Sequence, residues 1–579
     1  MNDYVTKADR YVNEVLSKKI PTCEHTKNAC KRQRNDKKRK LSVVFPYVFD
    51  RNAANRICQF IELLPHIKGE WAGTRIVLED WQCFNLTTIF GWLNEDGFRR
   101  FKMAYIEVAR KNAKSTLASG IGLYMLLADD EPGAEIYSAA TTRDQAKIVW
   151  TDAKAMVDKS PGLQKKFGVK TYVSNISVAG TNSIFKPLAR DQGGNLDGLN
   201  IAGAVVDELH GHKTREMWDV IETGTGSRRQ PLVVAITTAG SNRAGICFEQ
   251  RDYATRILNG ALSDEEYYGM IYTIDKEDDW TEEKNWIKAN PNWNVSVKPD
   301  DIRRKARKAM ASSAAVNNFL TKHLDQWVNA DESWMDLRNW EACKKLEEGN
   351  YLQKIQLKDS TVVSELWLPS AMKAFKGEPC HVSVDLSTKK DVAPVNITFK
   401  KGDIFYGFNV FFLPKAAVVE STNASYEGWE IDGCLNVTAG NVTDFNAIER
   451  LVLWLSETYV INSFAYDPWQ AQYLANRLDE KSIPVVEYRQ ITSTMSEPMK
   501  EFDALVLDEK FFHTGDPVMT WMISNVVCHY DNKDNVYPNK SFRENKIDGV
   551  VAQIMSIGRW MESEENEVDP YLDRGFITL

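Results

Sequence analysis

The chain has 579 residues, too many for one hydrophobic core, and its 43% hydrophobic and 26% charged residues give an ordinary globular balance. Its 80 acidic and 72 basic residues leave a net charge of −8. That excludes a protein that coats nucleic acid indiscriminately, so any nucleic-acid contact must be local or shared among several copies. No internal period suggests a solenoid or propeller.

The first segment, 1–45, is dominated by "KNACKRQRNDKKRK" at 27–40, with eight Lys or Arg against one Asp. It reads as a solvated, flexible arm, with a DNA-phosphate or partner contact as the functional alternative. Nine cysteines, an odd number spread widely and without a secretion signal, point to reduced thiols in a cytosol. Cys23, His25 and Cys30 lack a second ligand pair, so zinc is not expected. The longest apolar stretch, near 117–128, is too short to span a bilayer.

From 46 to 330, short apolar runs alternate with helical patterns. Strands are predicted at 100–109, 134–141, 201–209 and 231–240, and helices at 114–129 and 143–157. Apolar strands alternating with helices imply a parallel sheet covered on both faces. Residues 298–328 read as amphipathic helix, and 331–378 as a linker or peripheral insertion. A second domain, 379–579, opens with a strand at 380–386 and two antiparallel strands within 394–413 joined by Lys-Gly-Asp. Strands at 463–467 and 484–488 then alternate with helices, which suggests a mixed sheet.

The first chemistry-bearing stretch is "VARKNAKST" (108–116), between a strand and a helix. A phosphate-binding loop aims consecutive backbone N–H groups and a helix N-terminus at an anion. The small Ala113 meets the tight position before the lysine. Lys114 would then contact the β and γ phosphates of ATP, and Ser115 would ligate Mg²⁺. Arg110, Lys111, Asn112 and Thr116 complete the loop. Downstream, "GAVVDELH" ends an apolar strand in Asp207-Glu208, suited to hold the metal's water shell and to orient and deprotonate the attacking water. Another strand ends in Thr237-Thr238, hydroxyls able to sense the γ-phosphate. Upstream, Trp81 and Gln82 precede the first strand, where an amide can read adenine. This order is that of an additional-strand P-loop ATPase.

In the second domain, three aspartates stand where two-metal phosphodiester hydrolysis in a ribonuclease-H-like fold needs carboxylates. Asp385 is expected mid-way along the first strand ("HVSVDL"), Asp467 at the end of a later parallel strand ("SFAYD"), and Asp548 on a C-terminal helix. An unpaired buried carboxylate is costly, so two Mg²⁺ or Mn²⁺ ions are expected there. Asp391 is an additional acidic position, and Lys546 a lysine able to reach a scissile phosphate.

"VARKNAKST", "SAATTRDQAKIVW", "LDGLNIAGAVVDELH" and "TGTGSRRQPLVVAITTAG" resemble the large terminase subunit of tailed double-stranded DNA bacteriophages. So do "RQITSTMSEPMKEFDALV" and "DPVMTWMISNVV", and the likeness runs from about residue 45 to 565. The resemblance implies a motor that hydrolyses ATP to translocate double-stranded DNA into a procapsid and cuts concatemeric DNA. It implies that Arg110 helps bind the γ-phosphate in cis, and that a neighbour in a ring, pentameric by resemblance, supplies an arginine finger. Arg190, Arg143, Arg228 and Arg229 are the candidates for that finger. It further implies a portal protein and a small terminase subunit as partners, no membrane, and the cytoplasm of the infected bacterial host, with transient docking on the procapsid. The sequence departs from the family at Ala113, where relatives commonly carry glycine, and in 344–378. An ATP-dependent translocase or helicase without nuclease activity is the alternative. A docking subunit with a degenerate ATP site and a transposase-like enzyme are weaker ones.

Overall fold

The computed structural model describes residues 3–140, 143–188, 198–212, 214–243, 245–329, 334–346, 352–359, 362–386, 391–421, 423, 425–531, 534–541 and 544–567. They form two compact units, divided between Val328 and Asn329.

The first unit opens with helices α1 (Tyr4–Leu16) and α2 (Glu24–Asp36). Tyr4, Ala8, Tyr11 and Val15 recur at helical spacing and are buried, so this segment belongs to the unit's core. The basic run is correspondingly not a free arm. Arg32 donates to Tyr267 O at 2.8 Å and Asp264 O at 2.6 Å, and Arg39 to Glu265 at 2.7 Å. Buried Asp36 pairs with Arg100 at 2.9 Å. Charge density alone could not reveal this, because the acceptors of Arg32 and Arg39 lie more than 200 residues away and Arg100 lies 64 residues from Asp36.

Helix α3 (Asp80–Gly91) precedes the main sheet, whose strands are β1 (Met103–Glu107), β2 (Glu135–Ala139), β3 (Val169–Thr171), β4 (Ile176–Val178), β5 (Ser183–Leu188), β6 (Ile201–Asp207), β7 (Leu232–Thr237) and β8 (Tyr267–Ile271). The spatial order is β8-β1-β7-β6-β2-β5-β4-β3, parallel except for the β3-β4-β5 meander. β7 is the additional strand, inserted between the loop strand β1 and the acidic strand β6. Every residue of β6 is buried, as its apolar run predicts. A Cβ on Gly203 would meet Met125 Sδ at 2.6 Å, so glycine lets helix α4 (Lys114–Leu127) lie against β6.

In the second unit, β9 (Pro379–Val384), β10 (Ala393–Lys401) and β11 (Ile404–Pro414) form an antiparallel meander. β12 (Leu435–Thr438) joins β11 in parallel, and β13 (Val460–Tyr466) and β14 (Val485–Glu487) add in parallel on the β9 side. The order is β12-β11-β10-β9-β13-β14, with β15 (Phe511–His513) also pairing β11. Helix α5 (Pro468–Asp479) follows β13 directly, and α6 (Asp548–Glu567) packs across the sheet. The meander followed by parallel strands is the ribonuclease-H-like arrangement.

The described part of 331–378 is not peripheral. Trp340 stacks on His513 with centroids 3.7 Å apart, and Leu366, Leu368, Met372 and Phe375 are buried in the second unit's core. Strands Leu352–Asp359 and Val362–Pro369 pair as an antiparallel hairpin. Its mixed charge hid it, since only part of its length is covered. Among the described residues, no helix is long and apolar enough to cross a membrane.

Candidate nucleotide and nuclease sites

The loop after β1 achieves without glycine what glycine normally permits. Lys111 (φ 73°) and Ala113 (φ 59°) both adopt the left-handed conformation, a strain of about 1–2 kcal/mol per residue. The surroundings hold it in place. Ser296 Oγ donates to Lys111 O at 2.6 Å. Asn112 turns inward, donating to Ala109 O at 3.0 Å and Asn290 Oδ1 at 3.1 Å, while its own Oδ1 accepts from Asn292 N at 3.0 Å. Thus the Asn112 side chain, expected at the nucleotide, is a structural tie; only its backbone N–H remains for a phosphate.

Lys114 is 7% exposed and donates to Val108 O at 3.0 Å and Ala109 O at 3.4 Å. Burial lowers its pKa, against the attraction of Glu208, Asp325 and Asp207. Ser115 Oγ donates to Asp207 Oδ2 at 3.3 Å, the juxtaposition a shared Mg²⁺ requires. Burial, then the charge of Glu208, pushes Asp207 up to about 6. Arg110 and Lys111 are exposed, and Thr116 is partly so.

Glu208 is left-handed (φ 53°) immediately after β6, strain of the kind found at functional sites. Its Oε2 lies 3.1 Å from His210 Nδ1 without hydrogen-bond alignment. Burial alone would raise its pKa, but His210, Lys114 and Arg110 outweigh that and hold it at about 2. Lys322 Nζ, which can only donate, lies 3.1 Å from His210 Nε2. A neutral His210 must then carry its hydrogen on Nδ1, facing Glu208. Thr237 and Thr238 Oγ1 lie 3.1 and 3.3 Å from the same Nδ1. The strand-tip hydroxyls and Glu208 are therefore gathered by one imidazole.

Gln82 departs from its expected use. It sits in the first turn of α3, where its Oε1 accepts from Glu79 N at 3.0 Å in a capping box. Trp81 connects to the loop instead, donating from Nε1 to Asn292 Oδ1 at 2.6 Å. Arg228 is engaged within its own subunit, with Glu131 at 3.0 Å and Gly133 O at 2.7 Å. Arg229 is exposed over Phe98, its guanidinium 4.3 Å from the ring centroid. Arg190 and the side chain of Arg143 lie outside the described residues. Sequence reasoning gave His210, Lys322 and Asp325 no role. Asp325 is buried, accepts from Ala239 N at 2.8 Å and has an unpartnered Oδ2.

In the second unit, Asp385 follows the end of β9 rather than lying mid-strand. Val384 pairs with Tyr466 across the parallel β9-β13 ladder, so Asp385 and Asp467 leave adjacent strand ends. Gln490, to which sequence reasoning assigned no role, joins them: its Nε2 donates to Asp385 Oδ1 at 2.8 Å and its backbone N to Asp467 Oδ2 at 3.2 Å. Asp467 also caps α5, accepting from Trp469 N at 2.9 Å. Asp548 opens α6, buried, with an unpartnered Oδ2.

Burial raises Asp385 to about 8, reinforced by the charges of Asp548, Asp467 and Asp391. Burial, then Asp391, raises Asp548 to about 6. Lys546 pairs with Asp391 at 2.8 Å, so it serves a carboxylate rather than standing exposed. Among the described residues, no group of three or more His, Cys, Asp or Glu side chains is placed so as to hold a metal ion. The aspartates nevertheless repel one another and Asp548 keeps one orphaned oxygen, so it is their donor chemistry, rather than a preset geometry, that fits hard divalent cations.

These features define a P-loop nucleotide hydrolase joined to a ribonuclease-H-like nuclease. The terminase large subunit ATPase-domain family matches residues 80–256, and the terminase large subunit endonuclease-domain family residues 261–564. That division falls inside the first unit, because β8 pairs with β1; the pairing places the structural boundary later. Protein YmfN of Escherichia coli K12 is 34% identical over 394 residues, 66% of this chain and 81% of its own. The terminase large subunit of Enterobacteria phage HK97 is 26% identical over 466 residues, 79% of this chain and 86% of its own. The HK97 large terminase crystal structure aligns over 87% of this chain and 99% of its own at 24% identity, with a TM-score of 0.42. The chain belongs to the terminase large subunit family. It is an ATPase and endonuclease of a DNA-packaging motor, using a nucleotide and divalent metal.

Proposed function

We propose that the first unit hydrolyses ATP with Mg²⁺ to drive double-stranded DNA into a procapsid, and that the second cuts concatemeric DNA at Asp385, Asp467 and Asp548. The observation that carries the second half is the convergence of three aspartates, from two adjacent strand ends and a helix start, into one self-repelling cluster in which Asp548 is buried and Asp385 and Asp467 are partly exposed.

Divalent ions, one held by Ser115 and Asp207 and two by the nuclease aspartates, would neutralise phosphate charge and activate water. In the first unit, the loop's N–H groups and Lys114 bind the β and γ phosphates, with Arg110 on the γ-phosphate. Glu208, held ionised, is a weak proton sink but a strong acceptor, so its main task is to orient the attacking water. The His210 ring faces that carboxylate and lies beside Thr237 and Thr238. With Arg228 engaged in its own subunit, the trans finger is drawn from Arg190, Arg143 and Arg229.

The remaining partners are a portal protein, a small terminase subunit and further copies in a pentameric ring, acting in the host cytoplasm. ATP-dependent DNA translocation into purified procapsids, lost in Lys114→Ala, tests the motor. Uptake by that variant would sink the reading.

A further inference from the structure

Helix α5 begins at the nuclease cluster and carries two large rings in solvent. Trp469 is 88% exposed and Tyr473 65% exposed. Four residues apart, they share one face, about 6 Å from each other along the axis. The opposite face, Ala471, Leu474, Ala475 and Leu478, is buried and anchors the helix. Arg477 continues the ring-bearing face, its guanidinium 5.6 Å from the Tyr473 centroid and paired with Glu449 at 2.5 Å.

Isolated exposed aromatics need no explanation. These two differ in position, because the backbone N–H of Trp469 donates to the Asp467 carboxylate that caps the helix. Any phosphodiester presented to Asp467 brings its neighbouring nucleotides to this helix face. The ring face offers flat, sequence-tolerant surface.

We infer that Trp469 and Tyr473 form a stacking platform for nucleobases exposed beside the scissile phosphate, so that DNA frayed or unstacked at the cut is held for cleavage. The inference rests on Asp467 being part of the nuclease centre. A base is the committed occupant. A protein surface, from a second copy or another packaging component, is the competing one.

The test uses the full chain with Mn²⁺, a duplex carrying 2-aminopurine near a nick, and Trp469→Ala, Trp469→Phe, Tyr473→Ala and Asp467→Asn. Trp469→Ala should raise the half-saturating DNA concentration about tenfold, the scale of one base–aromatic stack, with maximal cleavage rate changed far less. Trp469→Phe should restore most of the affinity. Quenching of 2-aminopurine should occur with wild type and Trp469→Phe but not with Trp469→Ala. Wild-type affinity and quenching in both alanine variants, with Asp467→Asn inactive, would overturn the platform alone. So would a change confined to self-association in sedimentation. Cleavage by Asp467→Asn at the wild-type rate would instead overturn the site on which the platform depends.

Discussion

Glu208 Oε2 stands 3.1 Å from His210 Nδ1, and Lys322 fixes which nitrogen of that ring carries the hydrogen. The carboxylate beside Asp207 thus faces a ring whose hydrogen is set by Lys322, 112 residues from His210 in sequence. Glu208→Gln should lower ATP turnover by at least about 100-fold, the scale of a lost general base or water-orienting group. His210→Ala should lower it about tenfold while nucleotide affinity is retained, and His210→Asn, which keeps an N–H donor, should recover part of the loss. Equal turnover in His210→Ala and wild type would show that Glu208 is held by other means.

Ala113→Gly addresses the loop's strain. With φ at 59°, glycine removes a steric penalty of about 1 kcal/mol, partly offset by its greater freedom in the unfolded chain. Thermal denaturation of the full chain should show Ala113→Gly at least as stable as wild type, with ATP turnover undiminished. A destabilised or inactive variant would mean that Ala113 contributes packing which the backbone argument omits.

Asn112→Ala should destabilise the first unit by about 1–3 kcal/mol, because Asn290 Oδ1 and Asn292 N lose a buried partner. Denaturant unfolding measures this. The accompanying loss of nucleotide affinity should be larger than for Thr116→Ala, whose hydroxyl ties nothing together in the loop.

Three buried groups in the second unit, two histidines and an aspartate, set opposing pH limits. His513, buried against Trp340, is held down to about 4 from its ordinary 6.5, and burial does the same to His381. Their contribution to stability is full above about 6.5 and is lost as pH falls toward 4. Asp516, the buried cap of helix Pro517–Asn525, is pushed up to about 7 by burial from an ordinary 3.8. Its contribution is full below about 3.8 and is lost as pH rises through 7. Asp516→Asn keeps a capping oxygen without the charge. Its melting temperature should exceed wild type at pH 8.5, by a smaller margin at pH 5, and lose that advantage near pH 3.8. A gain independent of pH would rule out the titration of Asp516 as the cause.

The strands and helices that carry the chemistry were legible because each is a short apolar run or a clear helical pattern closed by a polar residue. β6 ending in Asp207 and β13 followed directly by Asp467 are the plainest cases. Asp385 was expected inside a strand running to 386, whereas the strand ends at Val384, because the apolar pattern of "HVSVDL" does not reveal where the β9-β13 ladder stops. Gln490 had no signal, since a glutamine in a polar loop acquires meaning only from the two aspartates it joins. The same holds for Lys322 and His210, 112 residues apart in sequence. The 27–40 run misled for a physical reason: charge predicts solvent exposure only when no distant acceptor, such as Tyr267 O, receives the guanidinium.

The most direct test of the account is cleavage of supercoiled plasmid by the full chain in Mn²⁺, beside Asp385→Asn, Asp467→Asn and Asp548→Asn. The account predicts nicking and linearisation by wild type and loss of at least about 100-fold in each variant, with folding retained by circular dichroism. Wild-type cleavage by any one of the three would contradict the proposed centre.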